Sequence, residues 1–338
     1  MMKELKQRSM ELQHEAIETI YFGGGTPSIL PSGQISSFID KVKLLAQLSP
    51  SAEITLEANP DDMTASNLHE WKKAGVNRLS IGVQSFDDTL LRSMNRSHNA
   101  EQARAAILRA KQMDFRSLSL DIIFGLPEEG LKPFEEVVAE FIALAPDHIS
   151  AYSLTLEKGT VYHHRSQKGE LDLPSEEEVE RQFIYLIEEL SKAGYEQYEV
   201  SNFSRLGHIS EHNSSYWKGK GYIGIGPSAH SYNGKERRWN ISNNMRYMKL
   251  MAEGEVYWET ESIDDRTAFN EYVLTRSRTK WGLDLEYIKM RFQINLLTDQ
   301  EKILSRYSGK YELKEGILRL NRAGLLLADR FASDLFKV

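Results

Sequence analysis

The chain of 338 residues contains no cysteine at all. Disulfides, thiolate nucleophiles and thiolate-held metal centres are therefore excluded for the residues present. No apolar run reaches the length needed to cross a bilayer. The first fifteen residues are charged and polar and lack the apolar core of a secretory signal. Cationic excess is missing too: 42 Lys and Arg stand against 49 Asp and Glu, a formal net charge of −7. That balance disfavours duplex nucleic acid as the main partner. What remains is a chain of ordinary globular composition, 41% hydrophobic and 27% charged, long enough for one large domain and one smaller. A cytoplasmic location is the expectation.

The organising stretch is Tyr21-Phe22-Gly23-Gly24-Gly25-Thr26-Pro27-Ser28. An apolar run, Ile17 to Phe22, breaks into three glycines. Glycine leaves no Cβ in the way and permits positive φ, so this loop reads as backbone that comes close to something. A tight strand-to-helix turn without a ligand is the alternative. Strands are expected at 17–22, 53–58, 78–83, 117–124 and 149–154, with helical spacing between them, for example Ile35, Phe38, Ile39, Val42 and Leu45. Five strands alternating with helices predict a parallel α/β sheet with crossover helices. Polar and glycine-rich segments follow the strands at 23–26, 57–60, 84–86 and 125–127. That edge carries the active site in parallel barrels and open sheets.

Further on, Ser175-x-x-Glu178 is a capping box, and 195–203 is a sixth strand candidate. Residues 204–234 are polar, aromatic and without clear periodicity. Short helices and a Lys-Glu-Gly hairpin turn between 311–313 and 317–320 suggest a winged-helix-like end. The expected division is a barrel core over 1–235 and a winged-helix-like domain over 236–338.

The ordered landmarks resemble the radical S-adenosylmethionine (SAM) proteins related to oxygen-independent coproporphyrinogen III oxidase, nearest to the HemW-type heme chaperones. The matching pieces are Phe22-Gly-Gly-Gly-Thr-Pro-Ser28, Glu57-Ala-Asn-Pro-Asp61, Arg78-Leu-Ser-Ile-Gly-Val-Gln-Ser-Phe86, Asp121-Ile-Ile-Phe-Gly-Leu-Pro127, Ser150-Ala-Tyr-Ser-Leu154, Tyr198-Glu-Val-Ser-Asn-Phe203, His212-Asn-x-x-Tyr216-Trp217 and Gly224-Ile-Gly-Pro-Ser-Ala-His230. The resemblance covers nearly the whole chain. It implies a partial parallel (β/α) barrel lacking its first strand, and the cofactors SAM, heme and a [4Fe–4S] cluster. The His-Asn-x-x-Tyr-Trp element points to the chaperones and away from the decarboxylating oxidases of porphyrin biosynthesis.

Under that resemblance Gly24, Gly25 and Thr26 are placed for the ammonium of SAM, and Arg96 for its carboxylate. Glu57, Gln84 and Asp121 are placed for the ribose hydroxyls. Taken singly, Glu57 also reads as a surface carboxylate and Arg96 as a solvated helix charge. His212 is the candidate heme ligand, with Tyr216 and Trp217 to pack on the porphyrin face; a hydrogen-bonded loop histidine is the alternative. His230 is expected near the sheet edge, against nucleotide or substrate. His163 and His164, adjacent in an extended chain, would point to opposite faces and read as a solvated pair. Lys235, Arg237 and Arg238 form a basic patch that could meet propionates, or a plain solvated turn.

The family carries a Cys-x-x-x-Cys-x-x-Cys loop ahead of the first helix, and this chain has no such cysteines. A missing N-terminal segment or a natural cluster-less relative would each account for it; the first is favoured. The expected function is heme binding and transfer to an apoprotein, with no nucleic-acid partner and no transmembrane segment, peripheral membrane contact being left open. The alternative is a coproporphyrinogen oxidase-type decarboxylase if a cysteine segment precedes the chain.

Overall fold

The computed structural model describes residues 1–13, 15–127 and 132–337. The principal sheet holds seven strands: β1 (Ile17–Phe22), β2 (Leu48–Ala58), β3 (Arg78–Gln84), β4 (Ser117–Phe124), β5 (His148–Ser153), β6 (Glu196–Glu199) and β7 (Asn202–Ser204). Their order is β1-β2-β3-β4-β5-β7-β6, and β1 to β5 pair in parallel with helical crossovers. This is the partial parallel barrel expected. The sixth expected strand divides in two: β7 runs antiparallel to β5, joined to β6 by a short turn.

The register explains both faces. Ala58, Ile81, Leu120, Ile149 and Phe203 form one row across the strands. Phe22, Leu56, Leu79 and Leu118 form another. These rows are buried. On the helical side, Ile35, Ile39 and Val42 of the helix Ser32–Leu45, and Ala103, Ala106, Ile107 and Ala110 of the helix Ala100–Gln112, are buried. Phe38 meets Phe22 edge-on, ring centroids 5.6 Å apart. Truncating a fully buried member such as Leu56 would cost about 2–5 kcal/mol.

The alternate rows carry polar side chains: Tyr21, Thr55, Arg78 and Ser117 in one, Glu57, Ser80, Ser119, His148 and Ser204 in the next. Period-two alternation thus gives the barrel a polar inner face.

Caps fix the crossovers. Thr64 Oγ1 accepts from Asn67 N, and Gly75 ends that helix at φ 107°. Asn99 and Gln102 form a reciprocal capping box. Ser175 makes half of one, accepting from Glu178 N; the Glu178 carboxylate turns to Arg181 and Gln182 instead.

By compactness, residues 17–197 and 201–210 form one unit, and residues 1–16, 198–200 and 211–338 the other. This division follows packing and differs from the motif-based boundary at 235/236. The N-terminal residues join the second unit through Glu4, whose buried carboxylate accepts from Gly226 N (2.8 Å), Asn240 Nδ2 (2.7 Å) and Tyr247 Oη (2.5 Å). Two antiparallel sheets complete that unit: β8 (His230–Tyr232), β9 (Glu236–Asn240) and β10 (Trp258–Ser262), then β11 (Leu283–Asp284), β12 (Tyr311–Lys314) and β13 (Ile317–Leu320), the last set among helices. Among the described residues, no helix is long and apolar enough to cross a membrane.

Candidate functional site

The mouth of the barrel is built where the polar rows reach the C-terminal ends of the strands. Glu57, next to last in β2, takes two donors from the β1 end: Tyr21 Oη at 2.7 Å and Gly24 N at 3.1 Å. A Cβ on Gly23 would fall 2.4 Å from Tyr21 Cε1 and 2.7 Å from Glu57 Oε1, so that position must be glycine. Gly24 and Gly25 sit at φ 78° and 101°, with open space where a Cβ would stand. The loop is then tied down: Ser28 Oγ donates to Asp62 Oδ2 (2.6 Å) and accepts from Asn59 N (3.2 Å).

Arg96 reaches the same mouth from beyond β3. Its Nη2 donates to Gly82 O (2.8 Å) and Asn59 Oδ1 (3.0 Å). Gly82 gives it room, since a Cβ there would lie 3.0 Å from that Nη2 and 3.1 Å from Gln84 Nε2. Burial lowers the Arg96 pKa, with Asp61 and Asp121 pulling the other way. Gln84 ends β3 at φ 69°, in the left-handed region that non-glycine residues seldom occupy.

Asp121 on β4 accepts from Ser80 Oγ at 3.3 Å. Burial, then the Glu57 charge, push its pKa up to about 7, opposed by Arg78 and by hydrogen bonds from Ser150 and Ser80. Burial, then Glu57, likewise raise the Tyr21 phenol above its ordinary value, so it stays protonated and donates. The structure therefore brings Gly24, Gly25, Glu57, Gln84, Arg96 and Asp121 into one mouth, with Thr26 at the end of the glycine run. Tyr21, Asn59 and Gly82 were missed. Their signal was available: Tyr21 lies two residues before Gly23 on the same face, and Gly82 two before Gln84.

The second cluster lies in the other unit, on the helix Glu211–Trp217, where the sequence showed no periodicity. His212 and Tyr216, four residues apart, share a face: their rings meet edge-on at 5.0 Å, and Tyr216 Oη lies 3.0 Å from His212 Nε2. Tyr222 stands 4.8 Å beyond Tyr216, and Tyr232 follows at 6.1 Å. Burial, then Tyr222, push the Tyr216 pKa up to about 12, although 40% of the residue is exposed. Trp217 does not join them. At about 100° per residue it turns roughly 140° away from His212 and faces the Arg278 guanidinium at 6.0 Å.

His230 is exposed on β8, its ring stacked on Trp239 at 6.2 Å. The basic patch does not converge, because adjacent strand residues point oppositely: Arg237 pairs with Glu271 at 2.7 Å, while Arg238 lies over the Trp258 ring at 3.8 Å. His163 and His164 lie on a helix, Val161–Gln167, not in extended chain. No metal-holding group of three His, Asp or Glu occurs among the described residues.

Residues 2–141 match the model of the radical SAM superfamily. The chain is 37% identical over 269 residues to the heme chaperone HemW of Bacillus subtilis, covering 79% of this chain and 71% of that one. Against the heme chaperone HemW of Lactococcus lactis it is 33% identical over 291 residues, covering 86% and 76%. Among solved structures, the coproporphyrinogen III oxidase HemN of Escherichia coli superposes with a TM-score of 0.83 at 21% identity, over 99% of this chain and 81% of that one. With relatives of that identity and coverage, the chain belongs to the HemW family of the radical SAM superfamily.

Proposed function

We propose that this protein is a heme chaperone: it holds heme at the helix Glu211–Trp217 and passes it to an apoprotein in the cytoplasm, on a barrel whose mouth takes SAM. The observation that carries the heme reading is the His212–Tyr216–Tyr222 cluster, an imidazole set beside a partly exposed aromatic run. Imidazole is a common axial ligand of heme iron, and tyrosine rings offer apolar faces to a porphyrin. The Tyr216 hydroxyl sits against Nε2. Heme coordination by that nitrogen would displace it.

The mouth suits SAM in charge and donor type. SAM brings to it an ammonium, a sulfonium, a carboxylate and a ribose diol. Glu57 and the open glycine backbone answer the ammonium side, and the Arg96 guanidinium the carboxylate. Asp121 and Gln84 are placed for the ribose hydroxyls. Asp121 accepts best as a carboxylate, a state that competes with protonation near neutral pH. The [4Fe–4S] cluster of the superfamily does not fit the residues present: such clusters are held mainly by thiolates, and this chain has none. No reductive step is derived from these residues.

Heme titration followed by the Soret band tests the reading. His212→Ala should weaken heme binding at least about tenfold, the loss of one coordinate bond net of competing water. Unchanged affinity in that variant overturns the assignment.

A further inference from the structure

The inner face of the barrel has a second polar end. Arg78 opens β3 and Ser117 opens β4, neighbours in register at the end of the strands opposite the mouth. Arg78 is 2% exposed and Ser117 5%. Arg78 Nε and Nη2 find no acceptor, and the Ser117 hydroxyl has no partner. A buried guanidinium with unmet N–H groups is strongly unfavourable. Buried polar atoms left over in this way mark a bound water or ion.

Both residues line one small cavity with Glu53, Arg116, Gly207, His208 and Ile209, leaving about 10 Å³ for the centre of a water-sized occupant. That is room for one single-atom species. Glu53 is already engaged, accepting from Ser210 Oγ at 3.2 Å and Thr55 Oγ1 at 3.4 Å. His148, one row above, is fully buried and adds no charge, its imidazole held well below its ordinary pKa by burial, then by Arg78 and His208. Arg78 and Glu53 are the buried charges of the cavity, while Arg116 at its edge donates to Ser51 O at 2.9 Å. The unmet Arg78 groups can only donate, and Ser117 can donate as well. A water could accept two of these bonds but would need acceptors for its own protons; an anion accepts all three.

We propose that this cavity at the foot of the barrel binds a small inorganic monoanion of halide size, held by Arg78 Nε and Nη2 and the Ser117 hydroxyl. The site shares no residue with the mouth. Its role is to give the buried guanidinium a counter-charge and so fix the floor of the barrel.

Two measurements on the full chain test it. Crystals grown in sodium bromide, with data collected at the bromine edge, should show an anomalous peak within hydrogen-bonding distance of Arg78 and Ser117. Density without anomalous signal there is ordered water, and overturns the proposal. In solution, the unfolding temperature of the wild type should rise saturably with sodium chloride relative to sodium gluconate at equal ionic strength. Ser117→Ala should need about tenfold more chloride for half the effect, the loss of one charge-assisted hydrogen bond. Arg78→Met should lose the dependence; if that variant does not fold, Ser117→Ala and the bromide peak still decide. A bromide peak without any chloride dependence in the wild type is an adventitious ion only, and also overturns it.

Discussion

The barrel mouth and the aromatic helix are built on opposite principles. At the mouth, each recognising group is already held by another part of the protein: Glu57 by Tyr21 and Gly24, Arg96 by Gly82 and Asn59, Asp121 by Ser80. Such a site is preorganised, and binding there needs little rearrangement. The helix Glu211–Trp217 instead presents rings at its surface and one imidazole whose Nε2 lies against a neighbouring hydroxyl. A site of that kind gains most of its affinity from the ligand, through apolar faces and one coordinate bond. The contrast matches the two chemistries proposed, a small zwitterionic nucleoside and a flat apolar macrocycle. It also predicts that the sites respond differently to damage.

The sharpest way to break the contrast is Gly23→Ala. The added methyl would meet the Tyr21 ring and the Glu57 carboxylate, both inside van der Waals distance. The Tyr21–Glu57–Gly24 arrangement cannot survive it. SAM affinity, measured by calorimetry, should fall by at least about a hundredfold, the loss of two or more bonds of about 1.5 kcal/mol each. Heme affinity should hold. A parallel loss of both would show that the two sites are not built independently.

A second test uses pH. With the Asp121 pKa near 7 and the carboxylate as the binding form, SAM affinity should rise about tenfold from pH 6 to pH 8. Asp121→Asn should flatten that profile. Stability carries the opposite sign. A carboxyl whose folded pKa is raised binds its proton more tightly in the native state, so its contribution is full below the unfolded value near 4 and is lost as pH climbs through about 7. Asp121→Asn should therefore be more stable than the wild type at pH 8, by up to about 4 kcal/mol. A wild-type profile as flat as that of the variant would remove Asp121 from the site.

The mouth was largely legible in the sequence because strand periodicity and strand-end placement are local. Glu57 and Gln84 stand at strand ends and Asp121 lies within β4; alternation puts Glu57 and Asp121 on one face, while Gln84 follows a register shift in β3. What stayed hidden depends on register between distant strands. Arg78 reads as an ordinary first residue of a strand until β2 and β4 place it between Thr55 and Ser117, in a polar row where its Nε and Nη2 find no acceptor. The aromatic helix was hidden for another reason. Seven residues starting from Glu211 are too few for a clear 3.6-residue period, so adjacency in sequence grouped Tyr216 with Trp217. Helical geometry keeps Tyr216 with His212, as expected, and turns Trp217 away from both. The assignment of residues 1–16 to the second unit rests on the side chains of Lys3, Glu4 and Arg8, whose partners there lie more than 200 positions away. No local pattern could show it.

The smallest effect sharpens the contrast most finely, because its sign is informative. Tyr216→Phe removes the hydroxyl beside His212 Nε2 and keeps the ring. If that hydroxyl competes with iron for the nitrogen, its removal spares the heme-binding step one hydrogen bond of about 0.5–1.5 kcal/mol. Heme affinity should then rise by about two- to tenfold with the Soret maximum retained. Tyr216→Ala should lower it, since the ring face goes as well. At the mouth the corresponding change, Tyr21→Phe, takes a donor from Glu57 and should weaken SAM binding by a similar factor. The same chemical deletion thus runs in opposite directions at the two sites, because one hydroxyl supports a recognising group and the other blocks it. A fall in heme affinity with Tyr216→Phe would mean that the hydroxyl holds the imidazole in place, and that the aromatic helix is preorganised in the same way as the mouth.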